Sequence, residues 1–322
     1  MPLEQPLRQL SKMMGASFPP IPSADMTAAE ARRRAHGRSE LTYSGTVPPA
    51  SERLAVDWRG QTLDYLTLGL EGSGRAVLFL HSGGWVAGSA GAAARACAAL
   101  AHGLGATVLA LNYPLAPEHP YPAALDAVAA AIDWMSSADF TLAGKSPEIV
   151  IAGESAGGNL VAAWLLRQRD AGAAPAVSAA ILLVPVLDHD FTRASYERLD
   201  RGDIDGRSGM HWYAAQYLAD RFAELSDCPY AWPLRAESVA GLPPIVLVQA
   251  QYDPMGDEQE EFCTRVRAEG GVIEHLRYEG VGHSFFGLDH LSATAGRAQS
   301  DVCAAISRQL PSRDPAPETR AS

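Results

Sequence analysis

The chain is poor in cysteine, in basic clusters and in long apolar runs. Only four cysteines occur in 322 residues, Cys97, Cys228, Cys263 and Cys303. None has the close pairing of a zinc or dithiol motif, so they read as reduced thiols that mostly fill core space. Lys and Arg number 26 against 37 Asp and Glu, a formal charge of -11. That balance repels phosphate backbones and anionic lipid, no local Lys/Arg cluster offsets it, and nucleic acid is excluded as a partner. The longest apolar runs, such as Ala179 to Leu187, reach about half of the roughly 20 residues that a membrane helix needs. Met1 to Pro22 lacks the apolar stretch of about 7 to 15 residues that marks a secretory signal. The expectation is a cytoplasmic protein with no membrane span and no metal or other cofactor.

What is present suffices for a large core, with 47% hydrophobic and 20% charged residues. From about Arg53 onward, short runs rich in Val, Leu and Ile alternate with longer Ala-rich stretches, the pattern of a mostly parallel sheet covered on both faces. Eight strands are predicted, over 53–58, 64–69, 76–80, 107–111, 148–152, 179–185, 245–250 and 272–278. The first two are expected to form an antiparallel hairpin. Helices are predicted over 89–102, 122–136, 156–169, 258–269 and 292–310. Two segments break the alternation. Residues 1 to about 45 hold an amphipathic stretch, a Phe18-Pro19-Pro20-Ile21-Pro22 break and a helical patch near Ala28 to Ala35. Residues 189 to about 226, with the aromatic-rich Met210-His211-Trp212-Tyr213, exceed a normal connection. Together they are expected to form a helical cap over a core of residues 46–188 and 227–310, within a single α/β domain spanning 1–322. The tail from Pro311 to Ser322 is expected to fray, and there is no internal repeat.

Gly153-Glu154-Ser155-Ala156-Gly157 follows a predicted strand and opens a predicted helix, which is the context a G-x-S-x-G elbow requires. Such a turn forces the serine into strained backbone geometry, and the small neighbours leave it room. A glycine-rich turn without chemistry is the alternative. His81-Ser82-Gly83-Gly84-Trp85 follows another strand, where enzymes with this elbow place a loop whose amides hold an oxyanion. The amides of Gly83 and Gly84, with that of Ala156, are the candidate donors.

A serine nucleophile needs a base within hydrogen-bond reach. With this elbow the order along the chain is Ser, then Asp or Glu, then His, so histidines before Ser155 are excluded. His189, His211, His275, His283 and His290 remain. The first two lie in the insertion, His275 lies within a strand and His290 at a helix start. His283 alone sits in a loop just after the last strand. The acid belongs at the carboxyl end of the preceding strand, where Asp253 stands in Tyr252-Asp253-Pro254-Met255. Asp257 and Glu258 compete, but helix N-terminal charge accounts for them. Asp188-His189-Asp190 reads as a solvated turn, since three adjacent residues cannot converge on one ion. Trp85, Trp212 and Phe285 are candidates for the walls of an acyl or alcohol pocket, with core packing as the alternative.

These residues resemble the bacterial hormone-sensitive-lipase-like esterases within the α/β-hydrolases. The resemblance extends to Asn112-Tyr113-Pro114-Leu115-Ala116-Pro117-Glu118-His119-Pro120-Tyr121-Pro122-Ala123-Ala124, to Pro185-Val186-Leu187-Asp188, to Leu242-Pro243-Pro244 and to Asp253-Pro254-Met255-Gly256-Asp257-Glu258. It implies an eight-stranded α/β-hydrolase fold with a helical cap, Ser155, Asp253 and His283 as catalytic residues, and Gly83, Gly84 and Ala156 as the oxyanion hole. It also implies hydrolysis of short to medium acyl esters, with a small-molecule ester as partner and no cofactor. Glu118 then stabilises a loop near His81. Three positions depart from the family pattern: Ser82 stands for a glycine, Glu154 for Asp or Thr, and Pro114 for Arg. An amidase, lactonase or peptidase with the same triad, or a non-catalytic receptor on this scaffold, stays open, as does a homodimer.

Overall fold

A computed structural model describes residues 1–17, 25–43, 51–69, 74–142, 144–199, 207–219 and 221–310. The expected Phe18–Pro22 break and the tail from Pro311 lie outside the described residues. The strands are β1 (Ser51–Trp58), β2 (Gln61–Gly69), β3 (Arg75–Leu80), β4 (Thr107–Leu111), β5 (Glu148–Glu154), β6 (Ala179–Leu183), β7 (Ile245–Tyr252) and β8 (Ile273–Gly282). They form one sheet in the order β1-β2-β4-β3-β5-β6-β7-β8. β1 and β2 make a hairpin that pairs Trp58 with Gln61 across Arg59-Gly60. Both turn residues have positive φ, 49° and 83°, as a primed two-residue turn requires. β2 runs antiparallel to β4, and every later pairing is parallel.

The helices are α1 (Gln5–Ser17), α2 (Ala28–Tyr43), α3 (Ala94–Leu104), α4 (Ala123–Met135), α5 (Ala156–Asp170), α6 (Ala194–Leu199), α7 (Arg207–Leu218), α8 (Phe222–Leu225), α9 (Gly256–Ala268) and α10 (Ala293–Gln309). One face of the sheet packs on α3 and α10 through Cys97, Leu100, Val302 and Ile306. The other packs on α4, α5 and α9 through Val128, Val161, Trp164 and Phe262. With both faces covered, every residue of β5 and β6 is buried, which is why 149–153 of β5 and all of β6 read as apolar runs. The chain leaves β3 toward β4 on one side and returns to β5 on the other. Loops at the carboxyl ends of β3 and β5 therefore part, and a crevice opens between them.

The strand and helix expectations agree with these elements apart from their ends. The predicted helix at 89–102 begins only at Ala94, because Asn112 Oδ1 takes the Ala90 N–H at 2.8 Å and holds 89–93 in turns. The last strand runs on to Gly282. At the carboxyl edge, α2 and α7 meet where the Trp212 indole donates to the Met26 carbonyl at 3.1 Å. α1 is held at its start by the Glu4 N–H, which donates to Gly280 O at 2.9 Å. Among the described residues, no helix is long and apolar enough to cross a membrane.

Candidate active site

The carboxyl ends of β3, β5, β7 and β8 face a single cavity of about 510 Å³, with Ser155 and His283 in its wall. Ser155 is the residue between β5 and α5. Its φ of 55° and ψ of -115° are strained for any residue with a Cβ. The sequence around it accommodates that turn because a Cβ on Gly153 would lie 2.3 Å from Gly157 O, and one on Gly157 would lie 2.0 Å from Leu80 O. Neighbouring strands hold the elbow, with Ser155 N–H donating to Leu183 O at 2.9 Å.

His283 Nε2 lies 2.9 Å from Ser155 Oγ, and its Nδ1 lies 3.1 Å from Asp253 Oδ1. The Asp253 side chain is fully buried while that of His283 is one-fifth exposed, so the imidazole joins a dry carboxylate to a cavity-facing hydroxyl. Asp253 is oriented by the Met255 N–H at 3.0 Å and by Gln259 Nε2, also at 3.0 Å. Gln259 bridges onward to Pro185 O at 3.2 Å. The rival acids point elsewhere. Asp257 accepts from Ser195 N–H, and the fully buried Glu258 accepts from Leu187 N–H at 2.8 Å.

Gly83 and Gly84 line the cavity with φ of 131° and 60°. A Cβ on Gly83 would come within 2.1 Å of Ala87 O, so the loop can close this tightly only with glycine there. The loop is braced from several sides. Tyr113 OH donates to His81 O at 2.8 Å, Ala116 N–H to Trp85 O at 3.0 Å, and Trp85 Nε1 to Asn159 Oδ1 at 3.3 Å. Ala156 opens α5 directly after the serine and is fully buried. His81 is buried, stacked on Tyr113 at 4.2 Å, and burial brings its pKa down to about 4. It is neutral at pH 7 and belongs to the frame of the loop.

Ser82 and Glu154, two of the three departures from the family pattern, meet in a side-chain hydrogen bond. Burial pushes the Glu154 carboxyl above its ordinary pKa, opposed by the nearby His283 and by hydrogen bonds with Ser284 and Ser82. Burial, and then the Glu154 charge, push the Cys97 thiol up as well.

The expected pocket aromatics divide. Phe285 borders the cavity but is itself fully buried and packs in the core against Tyr278 at 5.7 Å. Trp85 is absent from the cavity lining: it is fully buried and stacked on Tyr217 at 4.4 Å, so its amphipathic ring anchors the Gly83-Gly84 loop in the core. Trp212 packs with Met26 and Ala31 in the cap, and its neighbour Tyr213 reaches the cavity instead. Glu118, expected beside His81 as a loop brace, pairs with Arg32 of α2. Arg32 and Asn159 went unseen in the sequence, since each acts on residues distant along the chain, and Gln259 went unseen although it lies only six residues from Asp253. Asp188, inside the tempting Asp-His-Asp run, is neutralised by Arg193 at 2.6 Å and Arg235 at 2.7 Å. No group of metal-ligating side chains occurs among the described residues.

A family model described as the alpha/beta hydrolase fold matches residues 77–287. The chain is 32% identical over 241 residues to the carboxylic ester hydrolase LipN of Mycobacterium tuberculosis, covering 73% of this chain and 63% of that protein. It is 30% identical over 237 residues to the carboxylesterase NlhH of the same organism, covering 73% of each. Among solved structures, the hyperthermophilic esterase of the archaeon Pyrobaculum calidifontis superposes with a TM-score of 0.85 at 28% identity, covering 96% of this chain and 99% of the other.

Proposed function

The chain belongs to the α/β-hydrolase fold family, and we propose that it is a carboxylic ester hydrolase working through Ser155, His283 and Asp253. The observation that carries this reading is the relay of contacts from Asp253 through His283 to Ser155, with the hydroxyl and imidazole in a cavity wall. His283 Nε2 takes the hydroxyl proton as Ser155 Oγ attacks the ester carbonyl carbon. The oxyanion that forms is held by the amides of Gly83, Gly84 and Ala156, each such donor being worth roughly 10² to 10³ in rate. The imidazolium returns its proton to the departing alkoxide, which leaves as the alcohol. Water then loses a proton to His283, adds to the acyl-enzyme and releases the acid, restoring Ser155. Asp253 keeps Nδ1 protonated and stabilises the imidazolium without taking its proton.

The cavity also supports short to medium acyl chains. Leu7, Leu10 and Met14 of α1 line it at helical spacing, an apolar strip about 10 Å long at 1.5 Å per residue. Each methylene laid on it adds at most about 0.8 kcal/mol of binding. Helices α1, α2, α6, α7 and α8 act as a cap on one α/β-hydrolase domain. Four free cysteines fit a reducing compartment, and the reading places the enzyme in the cytoplasm.

The test is turnover of p-nitrophenyl esters from acetate to palmitate by wild type and Ser155→Ala, with a fluorophosphonate label located by peptide mapping. Expected are serine-dependent turnover that peaks at short to medium chains and a label on Ser155. A folded wild type that neither turns over nor labels overturns the reading.

A further inference from the structure

The carbonyls of Gly83, Trp85 and Val86 in the oxyanion loop each have a donor, and one of those donors comes from the cap. Gly83 O receives Val86 N–H and Ala87 N–H at 3.2 and 2.9 Å, and Trp85 O receives Ala116 N–H at 3.0 Å. Val86 O instead accepts from Arg32 Nε of α2 at 2.9 Å. The same guanidinium donates through Nη2 to Ala116 O at 3.0 Å. It grips both oxygens of Glu118, with Nη1 to Oε1 at 2.8 Å. These hydrogen bonds pull the Glu118 carboxyl down to about 2. One planar cation thus spans the loop that carries Gly83 and Gly84 and the segment 116–118 that backs it. A guanidinium suits this task because its donors diverge in a fixed plane, which an ammonium cannot match.

A second contact bears on the same loop from the other half of the cap. A Cβ added to Gly84 would lie 2.4 Å from Tyr213 Cδ1 of α7, so the phenol ring sits directly on that residue. Trp212, beside it, is bonded to Met26 just ahead of α2. The cap therefore closes on the oxyanion loop with a hydrogen-bonded cation on one side and a ring on the other.

We infer that Arg32 is a positioning residue for ester hydrolysis, fixing the amides of Gly83 and Gly84 through the Val86 and Ala116 carbonyls. The inference rests on the hydrolase reading above. Arg32 touches neither the ester nor the serine, and its effect falls on the transition state, where the oxyanion first needs its donors. Misplacement by a fraction of an ångström lowers the rate without weakening ground-state binding.

The test compares wild type, Arg32→Ala and Glu118→Gln on p-nitrophenyl acetate and hexanoate. Inhibition by phenylboronic acid, which forms a tetrahedral adduct on a serine, is measured alongside. Arg32→Ala is expected to lose roughly tenfold to a hundredfold in kcat on both esters, with KM within about twofold. Its boronate affinity should fall in parallel, and added guanidinium ion should restore part of kcat. Glu118→Gln, which leaves both carbonyl bonds in place, should stay within about threefold of wild type. An unchanged kcat, a loss confined to KM, or a loss that depends on acyl length overturns the inference. Should Arg32→Ala melt below assay temperature, Arg32→Lys is read by the same criteria. Absence of Ser155-dependent turnover in the wild type would instead count against the hydrolase reading itself.

Discussion

The two edges of the sheet handle reversed backbone in opposite ways. At the amino edge, the positive-φ positions ahead of β3, β4, β7 and β8 are Gly74, Gly105, Gly241 and Gly270, where the conformation has no steric penalty. Past the carboxyl ends of β3, β5, β6 and β8 they include Trp85, Ser155, Val184 and Ser284, with φ of 62°, 55°, 42° and 57°. Each of these costs on the order of 1 to 2 kcal/mol. All four lie in or next to the loops that surround the cavity. The sheet's packing holds strain in the loops around the cavity, where Ser155 and Ser284 line it, and relieves it where nothing but chain reversal is at stake.

The sharpest way to break this contrast is at the elbow. Gly157→Ala forces a Cβ to within 2.0 Å of Leu80 O and drives α5 away from β3. Expected are a loss of at least roughly a hundredfold in kcat and of about 3 kcal/mol in stability, read by ester turnover and urea unfolding. Next in size is the neutral His81. Burial lowers its folded pKa to about 4 from an ordinary 6.5. Between those values the unfolded chain binds more protons than the fold does. Stability is therefore intact above pH 6.5 and declines as pH falls toward 4, by up to about 3 kcal/mol from this residue. His81→Gln should flatten that part of the curve, measured as urea midpoints at pH 7 and pH 4. A slope identical to wild type would show that His81 is not buried neutral. Smaller still is Ser284→Gly, which removes the αL penalty beside His283. Stability should rise by up to about 1 kcal/mol while kcat drops a few-fold as the histidine loop loosens. Because the change also removes the hydrogen bond to Glu154, Ser284→Ala, which loses that bond but keeps the backbone penalty, is the control. Ser284→Gly no more stable than Ser284→Ala would deny that strain is stored there. The smallest effect belongs to the amino edge. Gly105→Ala meets no atom within 4 Å but keeps φ at 56°, so about 1 kcal/mol of stability should be lost with kcat unchanged.

The same contrast explains what could be read from the sequence. Ser155, Gly83 and Gly84 were legible because their signals are local: a strand, then a glycine-rich turn, then a helix. His283 and Asp253 followed from chain order and from standing just past strand ends. The sheet was legible because buried parallel strands are apolar along most of their length, as 149–153 of β5 and all of β6 are. Arg32 was not, since nothing near residue 32 announces carbonyl acceptors at Val86 and Ala116. Gln259 was hidden for a different reason: it is only six residues from Asp253, but nothing in the sequence says that the turn from β7 into α9 aims its amide at that carboxylate. The aromatics misled because Trp85 and Tyr213 have similar chemistry but opposite placements, and packing across the sheet and cap decides which one meets the cavity.

The register of the sheet bears on how activity is acquired during folding. Ser155 rides on β5 while Asp253 and His283 follow β7 and β8, with β6 between them. The relay is therefore complete only when four adjacent parallel strands have all docked. Pairings of such long sequence separation form slowly. Helical circular dichroism should recover before ester turnover when the denatured chain is diluted from urea. A burst of enzymatic activity would then time the closing of the sheet, and turnover could serve as a clock for the last step of folding.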